Sequence, residues 1–251
     1  MAKQKGVIKV VGALDDITFS KTKSGFMAGM KSQLNKSRIM SDAAFVRTRE
    51  NMQEFGRAGK ASKMLRKGLR TLIQQSRDKA LTGRLLKKMM EVIKADATSI
   101  RGERNVVDGE SEMLKGFEFN ANARLEASLF APFTATIDRA TGNTNVDFPG
   151  FVPVQQIVWP EGATHFRIAS GAAAIDFTLE NFDNAFSETA IMPLDTNGTG
   201  AINQVNALPA ASVHPLFLAV GLQFFQRVNG VDYPLKNGAF NALSVVEVSG
   251  V

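Results

Sequence analysis

The chain contains no cysteine. That excludes disulfides, thiolate chemistry and any zinc site built on thiolates. Histidine is almost missing as well. His165 and His214 are the only two, neither has a partner at helical spacing, and each is expected to be structural rather than a metal ligand or a base. No Gly-x-Ser-x-Gly elbow is present, and no nucleophile stands beside a base. Apolar runs are short too. None approaches the ~18 residues that would suggest a transmembrane helix. The opening MAKQKGVIKVVGAL sets lysines ahead of apolar residues, as an export signal does. But Lys9 interrupts the run and Asp15 and Asp16 follow it, so the segment is expected to be mature structure in a chain made in the cytoplasm. Asn197-Gly-Thr has the form of a glycosylation acceptor and is expected to be a turn.

What is present is ordinary in bulk and uneven in distribution. With 251 residues and 44% hydrophobic content, the chain is long enough for a sizeable core and too apolar to be disordered throughout. The net charge of +6 conceals an asymmetry. Residues 1–110 hold 24 basic against 11 acidic residues, a surplus of +13. Residues 111–251 hold 6 against 13, a deficit of −7. Such polarity bears on partners rather than on fold.

Three segments are expected. Residues 1–40 read as a β-hairpin arm and linker. Val7–Val11 form an apolar strand, Ile17-Thr-Phe-Ser alternates with period two, and Leu14-Asp-Asp and Lys23-Ser-Gly mark turns before Phe26. Residues 41–111 read as a basic helical domain. Ser41-Asp42 is a start signal, followed by Phe45, Thr48, Met52 and Phe55 at helical spacing. Gly56 and Gly59 are expected to end or bend that helix. Two further stripes follow, from Ala61 to Ile73 and from Leu81 to Ile93. Residues 112–251 read as an acidic antiparallel β-sandwich. Its expected strands include Met113–Phe119, Arg124–Ile137, Thr144–Phe148, His165–Ser170, Ala174–Thr178, Glu188–Met192, Leu216–Val228 and Ala242–Val248. Ala140-Thr-Gly-Asn and Val228-Asn-Gly-Val are expected hairpin turns.

Motifs for chemistry are weak. Gly56-Arg-Ala-Gly59-Lys60-Ala61-Ser62 looks in part like a phosphate loop. However, Glu54 stands where the first glycine belongs and Ala61 where the hydroxyl belongs, so a helical corner is the better account. Asp15-Asp16 is a turn. Glu180 and Asp183, in a loop-like LENFDN segment, are too sparse for a calcium site. The basic helical face has more weight. Arg47, Arg49, Arg57, Lys60, Lys63, Arg66, Lys67 and Arg70 fall within 24 residues and could contact phosphates or an acidic partner. With only Phe45 and Phe55 nearby, both on the apolar stripe, such binding would be blind to base sequence.

The segments MAKQKGVIKVVGALDDITFSKTKSGFMA, SRIMSDAAFVRTRENMQEFGRAGKA and IRGERNVVDGESEMLKGFEFN, with the ending HPLFLAVGLQFFQRVNGVDYPLKNGAFNALSVVEV, resemble a group of uncharacterised proteins of about 250 residues from Bacteroidota bacteria. The resemblance brings no catalytic residues. A glycine-rich hairpin followed by an Arg-rich helix is also similar in layout to phage or prophage virion-type proteins. The expected architecture is therefore α+β: an N-terminal β arm, two or three basic amphipathic helices and a C-terminal antiparallel sandwich. The expected role is non-enzymatic self-assembly into a filament, tube or shell. The assembly arm would use Val7, Ile8, Val10, Ile17, Phe19 and Phe26, aided by contacts between oppositely charged surfaces. The alternative is sequence-independent nucleic-acid binding through the basic face. Neither a cofactor nor a small-molecule substrate is expected.

Overall fold

The computed structural model describes residues 2–31, 36–76 and 78–250. The fold is α+β, with every strand pairing antiparallel. The chain divides into two compact units, 1–50 and 51–251. The second holds the helices from residue 51 onward together with the β-rich segment that the sequence pattern separates from them at residue 111. Among the described residues no helix is long and apolar enough to cross a membrane.

In the first unit, β1 (Ala2–Lys3), β2 (Gly12–Leu14), β3 (Ile17–Thr22) and β4 (Gly25–Met30) make a four-stranded sheet of order β1-β4-β3-β2. Asp15, at φ 50°, turns β2 into β3, a left-handed position that aspartate tolerates. The register sets Ile17 opposite both Leu14 and Met30, Phe19 opposite Ala28 and Lys21 opposite Phe26. One face therefore collects Leu14, Ile17, Phe19, Phe26, Ala28 and Met30. The strand expected over Val7–Val11 does not form. The Gln4 side chain instead bonds both the Val10 amide and the Val10 carbonyl, at 2.9 and 3.1 Å, and Lys9 Nζ donates to the Gln4 carbonyl at 2.7 Å. These local bonds satisfy backbone groups that a ladder would otherwise use. Of the linker expected at the end of segment 1–40, residues 32–35 lie outside the described residues, and α1 (Lys36–Ser41) follows them. Asp42 then accepts the Ala44 amide at 2.9 Å and caps a short turn into α2 (Val46–Gly68).

Two expectations about α2 are corrected. It continues unbroken through Gly56 and Gly59. No atom lies within 4 Å of where their Cβ atoms would stand, so no packing forces a bend, and the ~1 kcal/mol that each glycine costs a helix is borne by burial nearby. The buried face also differs. In its first half Met52 and Phe55 are exposed while Glu54 and Ala58 are buried, whereas Ala61, Met64 and Leu65 are buried as their period predicts. Polar bonds fix this rotation. Glu54 Oε1 accepts the Gly102 amide at 2.8 Å, and Arg57 donates to the carbonyls of Gly102 and Arg104. Next come α3 (Arg70–Ile73) and α4 (Leu81–Lys94). The face of α4 formed by Leu81, Leu85, Met89 and Val92 is buried as its period predicts.

Beyond residue 111 the elements are α5 (Leu125–Ser128), β5 (Thr134–Ile137), β6 (Asn143–Phe148), α6 (Pro153–Gln156), β7 (His165–Asp176), β8 (Asn181–Glu188), β9 (Met192–Pro193), β10 (Ile202–Ala207), β11 (Leu216–Val228), β12 (Val231–Pro234) and β13 (Ala242–Ser249). The Met113–Phe119 strand is replaced by a short turn at Ser111–Leu114 and a lone bridge from Glu118 to Ser244. Arg124–Ile137 splits into α5 and β5. The two expected strands of 165–178 are one, and the loop-like LENFDN segment already starts β8 at Asn181. Both hairpin turns form, with Gly142 at φ 78° and Asn229 and Gly230 at φ 50° and 79°.

Six strands make one sheet in which β12-β11-β7-β8 are consecutive, β13 also pairs β11 and β9 pairs β7. A separate three-stranded sheet has order β10-β6-β5. The alternation of β7 and β11 explains the core. Ala169, Ala173, Ile175, Phe217 and Ala219 join the helices in one apolar cluster. Phe166, Ile168, Ala172, Leu218, Val220 and Leu222 join Val146 and Phe148 of the small sheet in another. A strand buried on both faces reads as a continuous apolar run, and Leu216–Phe225 is such a run. Small residues let the helical layer approach closely. A Cβ on Gly68 would meet Ala173 Cβ at 3.0 Å, and Asn184 Nδ2 donates to the Gly68 carbonyl at 2.6 Å.

Candidate anion-binding interface

The structure sorts the eight basic residues of the helical face by what each one holds. Arg47 pairs with Glu50 at 2.9 Å, and Arg49 donates to the carbonyls of Ile39 and Asp42 at 2.8 and 2.9 Å. Both serve the first unit. Arg57 is tied to the carbonyls described above. Lys60 Nζ lies 2.8 Å from Glu180 Oε1, and this bond holds the Glu180 carboxyl below its ordinary range. The remaining four converge. Lys63, Arg66, Lys67 and Arg70, from the end of α2 and the start of α3, line a concavity of about 570 Å³ completed by the α3–α4 connection and the first residues of α4. Gln74, Lys79 and Thr82 stand on the far side, and Ile73 and Leu81 contribute apolar surface.

Among the described residues the side chains of Lys63, Lys67, Arg70 and Lys79 make no hydrogen bond and no ion pair, and the Arg66 side chain bonds only the Ser62 carbonyl of its own helix, at 3.3 Å. Asp78 also lines the concavity, yet its carboxylate is already engaged. It accepts the Ala80 amide at 2.6 Å, the Ala121 amide at 2.8 Å and a guanidinium proton of Arg84. Burial works to raise its pKa, but these donors outweigh it and hold the group below the usual carboxylate value. Among the described residues five cations thus line one hollow with one carboxylate, Asp78, that is already bonded, while the Glu180 carboxylate, paired with Lys60, also feels the charges of Lys63 and Lys67. Helix α4 starts without a side-chain cap or an acidic residue in its first turn, and the carboxylate at its positive end is that of Asp78, which accepts the Ala80 amide just before it. Lys79 carried no signal in the sequence. It lies outside the α2 period, and only the return of the chain into α4 brings it across.

The acidic half is largely engaged within its own fold. Glu188 pairs with Arg167 at 2.6 Å, Asp232 with Arg227 at 2.7 Å and Glu247 with Lys115 at 2.7 Å, in addition to the Glu180–Lys60 pair. Asp138, Asp176 and Asp195 accept neighbouring amides in turns, and Glu112 accepts the Gly250 amide.

A second feature lies behind α4. Glu118 Oε1 accepts the Leu125 amide at 3.0 Å, Oε2 is buried without a hydrogen-bond partner among the described residues, and burial pushes the carboxyl up to about 7. The histidines do not join it. His165 Nδ1 shares a 2.9 Å hydrogen bond with Thr164, and His214 Nε2 lies 3.9 Å from Asp176. Glu180 and Asp183 are separated by the start of β8, and among the described residues no group of three or more acidic or histidine side chains is placed to hold a metal ion.

Of the assembly-arm residues, Ile17, Phe19 and Phe26 lie together on the sheet face, while Val7, Ile8 and Val10 sit in the loop between β1 and β2, all three exposed. Comparison with protein-family models, curated proteins and solved structures returns no match.

Proposed function

We propose that this is a non-enzymatic structural protein whose copies assemble with one another, into a filament, tube or shell, through the residue 1–50 unit. The observation that carries this is a sheet whose apolar face holds no buried side chain among the described residues. Among described residues 2–50 none is buried, and Leu14, Ile17 and Met30 are 69, 44 and 80% exposed. A small sheet gains stability only when its apolar side is covered, and soluble monomers rarely leave such a surface open. The edges point the same way. β1 pairs only two residues of β4, and β2 only three of β3, so Ser20–Thr22 and Gly29–Met30 keep outward backbone groups to which another strand can add. On this reading the two sheets of residues 134–249 are the leaves of a β-sandwich body that carries the arm. The assembly rests on the arm rather than on opposed charge, because so many carboxylates are already bonded.

Sedimentation velocity at physiological salt is the test. The full chain should run as large species. Deleting residues 1–29, or replacing Ile17 and Phe19 together with aspartate, should leave a folded monomer. A full-length chain that sediments as a monomer at tens of micromolar would overturn the proposal.

A further inference from the structure

We infer that the concavity between α2, α3 and α4 is a binding site for the phosphate backbone of a nucleic acid, held by Lys63, Arg66, Lys67, Arg70 and Lys79. The inference is independent of the assembly reading, since it uses no residue of the 1–50 unit. Three observations support it. First, the cations are not consumed by the fold. Arg47, Arg49, Arg57 and Lys60 are spent on their own chain, whereas the side chains of four of these five have no bonded partner among the described residues and that of Arg66 has only a helical carbonyl. Like charges on adjacent helical turns repel, so collecting them in a hollow of about 570 Å³ costs stability unless an anion offsets it. Second, the anion comes from outside the chain. Asp78, the carboxylate that lines the hollow, is already bonded to two amides and to Arg84, and four of the carboxylates beyond residue 111 are ion-paired within the chain. Third, the walls suit a backbone rather than bases. Three of the five cations are lysines, point charges that accept phosphate in many orientations. No aromatic ring lines the hollow to stack a base.

The chemistry sets the numbers. Each neutralised phosphate of a single strand contributes about 0.7 to the logarithmic salt slope, so five contacts give about −3.5. Affinity should then fall roughly 100-fold between 50 and 200 mM salt. The probe is a fluorescently labelled twenty-residue oligothymidine followed by anisotropy, with oligoadenine and polyglutamate of equal length as competitors. Expected results are the stated slope, oligoadenine within about threefold of oligothymidine, and weak competition by polyglutamate. Replacing Lys63, Lys67 and Arg70 together with glutamate should weaken binding by about 50-fold or more at 50 mM salt. Exchanging arginine for lysine and lysine for arginine at the same positions should restore it. Lys87→Glu, on α4 but outside the hollow, should change little. No anisotropy change at tens of micromolar protein, or equal binding by the triple glutamate variant, overturns the site. Polyglutamate binding more tightly than the oligonucleotide overturns the assignment to nucleic acid in favour of an acidic protein partner. Sedimentation in the same buffers keeps this separate from assembly. A monomer that binds the oligonucleotide sinks the assembly proposal and leaves this one standing.

Discussion

Glu118 stands between two buried phenylalanines, Phe117 and Phe119, whose rings meet edge to face at 5.3 Å. Backbone alternation turns its carboxyl toward α5, where one oxygen accepts the Leu125 amide and the other has no donor among the described residues. Burial raises its folded pKa from 4.5 to about 7, so the native state holds a proton that the unfolded chain releases earlier. Stability contributed by this group is present below pH 4.5 and is lost as pH rises toward about 7. The Glu118→Gln variant keeps an acceptor for Leu125 and removes the titration. Thermal melts of both proteins from pH 4 to 8 should coincide at the acid end and separate toward neutrality. The variant should become more stable by about 1–2 kcal/mol, a figure discounted because the group is partly solvated. Parallel pH curves for the two proteins would refute the assignment.

At the level of elements, turns are where the chain leaves least freedom. Gly142, in the β5–β6 hairpin, and Gly116, before the lone bridge, both sit at φ 78°. A Cβ at Gly142 would fall 2.2 Å from the Leu208 carbonyl, whereas at Gly116 it would meet nothing within 4 Å. Gly116→Ala should therefore lose only the left-handed penalty, about 1–2 kcal/mol, while Gly142→Ala should lose clearly more, measured by urea unfolding. Equal losses would mean that the close approach does not hold in solution. The same contrast shows what the sequence disclosed. Hairpin turns, the α4 face and the long apolar strand follow from local rules about glycine, period and continuity. The course of α2 through two glycines did not, because tertiary bonds to Gly102 and Arg104 override the local preference. The loss of the Val7–Val11 strand to bonds from Gln4 and Lys9 was equally hidden, since a β-branched run does not reveal a neighbour's side-chain hydrogen bonds. For the basic hollow, the α2 cations were legible but their division into occupied and available was not. That division depends on distant partners such as Glu180.

Across the whole molecule the two units differ in how much they bury. β7 and β11 are enclosed on both faces, whereas the 1–50 sheet encloses nothing among its described residues. Local opening energies follow such differences. In hydrogen exchange, amides of β7 and β11 should be the slowest. Those of β3 and β4 should exchange rapidly in dilute protein and slow markedly at concentrations where copies associate. Rapid exchange of β3 and β4 under every condition would mean that the apolar face stays uncovered.

The ladder that joins β7 to β11 also constrains how the molecule is made. It pairs Ala174 with Leu216 and His165 with Phe225, and the apolar sides of α2 and α4 rest on the layer those strands form. Until β11 (Leu216–Val228) has been synthesised, the helices lack part of the surface on which they settle. Refolding dominated by such distant pairings belongs to the millisecond-to-second class, and helices synthesised early wait with their apolar sides bare. Until β11 is present, the apolar sides of α2 and α4 lack part of the layer that buries them in the folded chain.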